Sequence, residues 1–114
     1  MTGGEGRRAR VVSALAGAML VPVLLLPGVA AAETITVKVS KLAFVPAAIT
    51  AKVGDTIEWV NADFIAHTAT ATDKSFDVKL PASKSGSLQV TKAGSFPYFC
   101  RVHPTMKGTI TVKE

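Results

Sequence analysis

The chain of 114 residues holds one cysteine, two histidines, one tryptophan and one tyrosine. A lone Cys100 can form no internal disulfide, so a small domain built from this chain must stand on its own apolar core. Charged residues make up 18% of the chain and the formal net charge is +5. That density is too thin for a nucleic-acid-binding surface, and no nucleic acid is expected among its partners. Past residue 32 no window sustains a 3.6-residue apolar period, which argues against a helical bundle. Repeats, linkers and low-complexity tracts are absent too, leaving room for one domain.

The first 32 residues read differently from the rest. Arg7, Arg8 and Arg10 form a basic start, an apolar run follows from Val11 to Val29, and Ala30-Ala31-Ala32 ends it with small residues. This is the pattern of an export signal cleaved before Glu33. The run is nearly long enough to span a bilayer, but Pro22 and Pro27 interrupt it and the small-residue end favours cleavage. Arg7-Arg8 suits either a general secretory or a twin-arginine address. The expected organisation is a signal peptide over residues 1–32 and a domain over residues 33–114. The domain is then exported to the periplasm and free of the membrane, with a net charge of +3.

From Thr34 onward the apolar residues alternate. Ile35, Val37 and Val39 share one face, with Thr and Lys on the other. Leu42 to Val45, Ile49 to Val53 and Thr56 to Asn61 continue in extended segments, broken at Pro46 and Gly54-Asp55. Ile57 and Trp59 share a face, and Trp59 reads as core. Asn61 to Ala66 reads as a loop leading to His67. Strands are expected over Thr68 to Thr72, Phe76 to Leu80 and around Leu88 and Val90, with Ser83 to Gly86 a polar link. Phe96, Tyr98 and Cys100 share a parity on a further strand, and Thr109 to Val112 forms the last. Pro97 cannot donate to a ladder, so it is expected at an edge or a bulge. Many short strands with frequent turns make the domain all-β, a sandwich or barrel.

The stretch Tyr98-Phe99-Cys100-Arg101-Val102-His103-Pro104-Thr105-Met106 concentrates the chemistry. Two of the three methionines, Met1 and Met19, lie in the expected leader. The remaining soft donors are His67, Cys100, His103 and Met106. A thiolate, two imidazoles and a weak axial thioether are the donors of a mononuclear blue-copper electron-transfer site. Zinc is disfavoured, because Met is not among its usual ligands. A bound metal also protects a free thiol in an oxidising compartment. Pro104 stiffens the turn that carries His103.

Two segments resemble the cupredoxins. Val53-Gly54-Asp55-Thr56-Ile57-Glu58-Trp59-Val60-Asn61 looks like their Val-Gly-Asp-x-x-x-Trp-x-Asn signature. The run from Ala93-Gly94 through Cys100-x2-His103-Pro104-x-Met106-x-Gly108 is similar to the ligand loop of the amicyanins. The resemblance implies an eight-stranded Greek-key β-sandwich with one type 1 copper. It implies His67, Cys100 and His103 as equatorial ligands and Met106 as the axial one. Asn61 matches the asparagine that hydrogen-bonds across to the ligand loop. The chain departs from the family at Val102, where amicyanins usually have Pro. Val102 keeps an N–H that is expected to donate to the Cys100 sulfur. Phe96 stands where the family often has a corner tyrosine.

Four protein donors leave no open position for a substrate, and the loop offers no general acid or base. An enzyme is therefore not expected. The expected function is a monomeric electron shuttle between redox proteins, such as a c-type cytochrome or a dehydrogenase. A copper carrier or buffer is the competing class. Phe64, Ile65, Pro104 and part of Val102 are expected to form an apolar collar around His103, with Arg101 and Lys107 beside it.

Overall fold

The computed structural model describes residues 31–114, and those residues form strands and turns with no helix. The expected leader lies outside the described residues, apart from Ala31 and Ala32. Residues 32–114 make one compact unit.

Among the described residues nine strands run in order: β1 (Thr34–Ser40), β2 (Ala43–Val45), β3 (Ala48–Lys52), β4 (Thr56–Asn61), β5 (His67–Ala71), β6 (Asp77–Leu80), β7 (Ser85–Gln89), β8 (Gly94–Phe99) and β9 (Lys107–Lys113). The count exceeds the expected eight by one. The three-residue β2 folds back antiparallel on the end of β1, pairing Phe44 with Val39.

The strands lie in two sheets, ordered β2-β1-β4-β7 and β3-β9-β8-β5-β6. Each sheet contains one parallel pair. β1 runs beside β4 with Val37 opposite Trp59, and β9 runs beside β3 with Ile110 opposite Ile49. All other pairs are antiparallel. The alternation in the sequence sets which face turns inward. Val37, Val39, Ile57 and Trp59 from one sheet meet Ala69, Leu80, Tyr98 and Ile110 from the other, each at most 1% exposed. Fully burying one such aliphatic side chain stabilises the fold by about 1.5–3 kcal/mol.

Tyr98 is the centre of the aromatic packing. Phe44 meets it edge-on at 4.7 Å and Trp59 at 5.6 Å. Trp59 Nε1–H donates to Tyr98 Oη at 3.2 Å, so both buried polar tips are satisfied. Burial pushes the Tyr98 phenol above its ordinary pKa.

Two expectations change. Ser85 and Gly86 belong to β7, where Gly86 stands opposite Trp59. The stretch looked like a link because it is polar and contains Gly. The glycine is required there: a Cβ would come within 2.8 Å of Leu80 Cδ2, Lys79 O and Val78 Cγ1. Pro97 is not on an edge strand, since β8 has neighbours on both sides, and the register of β8 with β9 runs through it without a break. The ladder from β8 to β5 holds only Thr70↔Phe99 and Ala71↔Tyr98. Pro97 lies past its last pair, where its carbonyl still accepts from Thr72 N–H at 2.9 Å.

Candidate metal centre

β5 and the β8–β9 loop carry the candidate donors. β5 is buried along its whole length. His67 opens it, paired with Leu80 of β6 and 1% exposed. Cys100 follows directly on β8 and is fully buried. The loop then folds back on itself: Met106 N–H donates to His103 O at 2.9 Å, and Cys100 N–H donates to Met106 O at 3.1 Å. These two bonds hold Cys100, His103 and Met106 on one tight turn. Met106, 2% exposed, packs into the core.

His67, Cys100 and His103 each offer a donor atom, all within 4.8 Å of one another. His67 Nδ1 lies 3.7 Å from Cys100 Sγ. An ion about 2.3 Å from a sulfur and about 2.0 Å from a nitrogen spaces those donors by roughly that distance when the angle between them is near trigonal. The two imidazole rings stand 5.0 Å apart, tilted by 60°. His103 Nδ1 is buried and has no hydrogen-bond partner. A buried bare nitrogen is costly unless something binds it, and a metal ion between these three side chains would do so. Thiolate with two imidazoles, and a thioether on the same loop, is a donor set that fits copper better than zinc.

The surroundings hold the donors in place. Thr68 N–H donates to Cys100 Sγ at 3.3 Å. Thr68 Oγ1 accepts from Arg101 N–H at 2.9 Å and shares a hydrogen bond with Thr70 Oγ1, also at 2.9 Å. Thr70 Oγ1–H donates to Asp77 Oδ1 at 2.6 Å, and the Arg101 guanidinium forks onto the same carboxylate at 3.1 Å. The Thr70 hydroxyl first, then Arg101, holds the Asp77 carboxyl below the usual carboxylate range. Asp63 Oδ2 lies 2.8 Å from His67 Nε2. The backbone amide of Lys41 first, then His67, holds the Asp63 carboxyl below its ordinary value.

A family model described as a cupredoxin-like domain matches residues 12–112. The chain belongs to the cupredoxin-like family. Among relatives of this cupredoxin, the amicyanin of Paracoccus denitrificans is 32% identical over 85 residues, covering 69% of the chain and 65% of that protein. The chain thus spans just under two thirds of that amicyanin's length. The plastocyanin of Scenedesmus fuscus is 36% identical over 86 residues, covering 63% of the chain and 88% of that protein. A solved Cu(I) form of an amicyanin variant superposes with a TM-score of 0.62 at 28% identity, covering 75% of the chain and 87% of that structure. Amicyanins recur among both its relatives and the solved structures it resembles.

Two expectations about the residues around the cupredoxin site are corrected. The Asn61 amide does not reach the ligand loop. It donates to Ile65 O, Leu80 O and Pro81 O, and Asn61 Oδ1 accepts from Asp63 N–H. Asn61 thus shapes the loop that delivers His67, and Thr68 makes the cross-link to the ligand loop. The amide donor to Cys100 Sγ is likewise Thr68 N–H, while Val102 is 54% exposed on the outside of the loop. Sequence reasoning missed both Thr68 and Asp63. The only available signal was their nearness to His67, one residue after it and four before it.

Proposed function

We propose that this cupredoxin is an exported, monomeric one-electron carrier whose copper would be held by His67, Cys100 and His103, with Met106 as a further, weak donor. The observation that carries the reading is the convergence of donor atoms of His67, Cys100 and His103, together with a His103 Nδ1 that is buried and bare. Residues 1–32 are proposed as the export signal, directing the domain to the periplasm.

Bound copper supplies a Cu(I)/Cu(II) couple. The chain supplies rigidity. Cys100, His67 and Met106 are all at most 2% exposed. The Thr68 bonds and the two backbone bonds across the loop keep these donors from rearranging when charge changes. That rigidity favours shuttling over delivery, because a carrier must release its cargo by opening its ligand set.

His103 is half-buried and is the most accessible of the three convergent donors. The loops at that end expose Phe64, Ile65 and Val102, at 92%, 47% and 54%, and Pro104 is also exposed. An apolar patch of this kind suits brief docking of a redox protein, such as a c-type cytochrome or a dehydrogenase. Arg101 and Lys107 are exposed on and beside the loop that carries His103, and Lys41 and Lys84 are exposed on turns hydrogen-bonded to Asp63 and Asn61, which suits steering towards an acidic partner face.

The test is to load the purified protein with copper and record its visible spectrum and voltammetry. Intense blue colour with a reversible one-electron wave is expected, and Cys100→Ser should lose the colour while the sandwich stays folded. A protein that binds only Cu(I), stays colourless and passes the ion to an acceptor would be a carrier instead. Failure to bind copper at stoichiometric load would end the reading.

A further inference from the structure

His67 presents two different nitrogens to two different neighbours. Nδ1 faces Cys100 Sγ at 3.7 Å, and Nε2 faces Asp63 Oδ2 at 2.8 Å. The His67 side chain is fully buried and that of Asp63 is 17% exposed. The carboxylate is held from several directions. Lys41 N–H donates to Oδ1 at 2.9 Å and Leu42 N–H to Oδ2 at 3.4 Å. Lys41 and Leu42 have φ of 54° and 61°, two consecutive side-chain-bearing residues in the left-handed region. That strained turn aims successive amides at one anion, as a backbone nest does. Asp63 is also fixed through its backbone: its N–H donates to Asn61 Oδ1 at 2.9 Å and its carbonyl accepts from Ser83 N–H at 3.1 Å.

We propose that Asp63 is a positioning and potential-setting residue for the copper site: its carboxylate accepts the Nε2–H of His67, which fixes the ring's tautomer and orientation with the Nδ1 lone pair turned to the metal. A carboxylate on the far nitrogen of a ligating imidazole makes that imidazole a stronger donor. Stronger donation stabilises Cu(II) more than Cu(I), because the oxidised ion carries the larger charge. Asp63 therefore lowers the reduction potential of the centre. The β1–β2 turn, which carries none of the candidate donors, takes part through the Lys41 and Leu42 amides. The inference rests on the copper reading above.

The experiment compares the full chain, expressed and purified with copper, with its Asp63→Asn, Asp63→Ala and Asp63→Glu variants. Loss of such a partner typically costs about 10–100-fold in metal affinity. The loss in Asp63→Asn and Asp63→Ala is expected to fall mainly on Cu(II). Each tenfold change in the ratio of Cu(II) to Cu(I) affinity then appears as a rise of about 59 mV in potential. Asp63→Glu keeps the charge and should recover part of the shift, which a purely structural role would not produce. Nitrogen NMR of the diamagnetic Cu(I) protein gives a readout that needs no variant. It should show the His67 proton on Nε2, in a hydrogen bond slow to exchange. A proton on Nδ1, or an Nε2–H in free exchange, would overturn the proposal even if every variant failed to fold. So would a folded Asp63→Asn protein whose potential and affinity ratio match the parent. A parent protein that takes up no copper would instead refute the copper reading itself.

Discussion

Thr68 and Cys100 stand 32 residues apart in sequence and are joined by a hydrogen bond from Thr68 N–H to Cys100 Sγ at 3.3 Å. The same threonine accepts from Arg101 N–H through its hydroxyl. β5 therefore grips the ligand loop at two successive residues. Thr68→Val keeps the shape and the N–H to sulfur but removes the acceptor. It leaves the part-buried Arg101 N–H unsatisfied, which costs about 1–3 kcal/mol. Denaturant titration of the metal-free protein should show that loss, and an unchanged midpoint would mean that the loop does not depend on this contact.

Gly108 and Tyr98 face each other across β9 and β8. A Cβ on Gly108 would lie 2.5 Å from Tyr98 Cζ and 2.6 Å from its Oη. Gly108→Ala should displace the Tyr98 ring and loosen the Trp59 Nε1–H bond to it. Forcing an extra methyl into a packed core typically costs about 1–3 kcal/mol. The check is a lower melting temperature with a changed near-ultraviolet circular dichroism signal from Trp59 and Tyr98.

The architecture was legible where one side chain in two turns inward, as in β1 and β4, because alternation fixes both strand and face. Cys100 and His103 stood out as candidate donors because they are rare residue types close together, and the structure brings both to His67. What escaped the sequence is carried by the backbone. Nothing in the letters at Lys41 and Leu42 says that their amides will point at Asp63, or that Thr68 N–H will find a sulfur. Those bonds depend on how the two sheets close on each other. Ser85 and Gly86 escaped for the opposite reason: their residue types favour turns, and only contact with Trp59, Leu80 and Val78 makes them strand.

Asp55 ties the start of β1 to the β3–β4 turn. Its carboxylate accepts from Glu33 N–H at 2.9 Å and from Lys52 N–H at 2.8 Å. The Glu33 amide first, then that of Lys52, lowers its pKa below the ordinary carboxylate value. A carboxyl depressed on folding binds its proton more readily when unfolded. Its contribution to stability is therefore present above the unfolded pKa, about 3.9, and is lost as pH falls through the lower folded value. Asp55→Asn should flatten the fall in stability below about pH 4. Denaturation midpoints across the acid range check this. If the leader is removed before Glu33, the same oxygen faces an α-ammonium, and the effect should be larger in the processed protein than in an unprocessed one.

Met106 separates two roles that one residue can combine, core filler and axial donor. It is 2% exposed, and its backbone closes the ligand loop through bonds to Cys100 and His103. Met106→Leu keeps those backbone bonds and nearly the same apolar volume, so the metal-free protein should lose less than about 1.5 kcal/mol. A core filler would show no more than that. An axial donor adds electron density that Cu(II) needs more than Cu(I), since Cu(I) is content with fewer ligands. Removing the thioether should then raise the reduction potential while the blue colour from Cys100 persists. Voltammetry of the Met106→Leu protein decides between the roles: an unchanged potential would leave Met106 as packing alone and the site as a three-ligand centre of His67, Cys100 and His103.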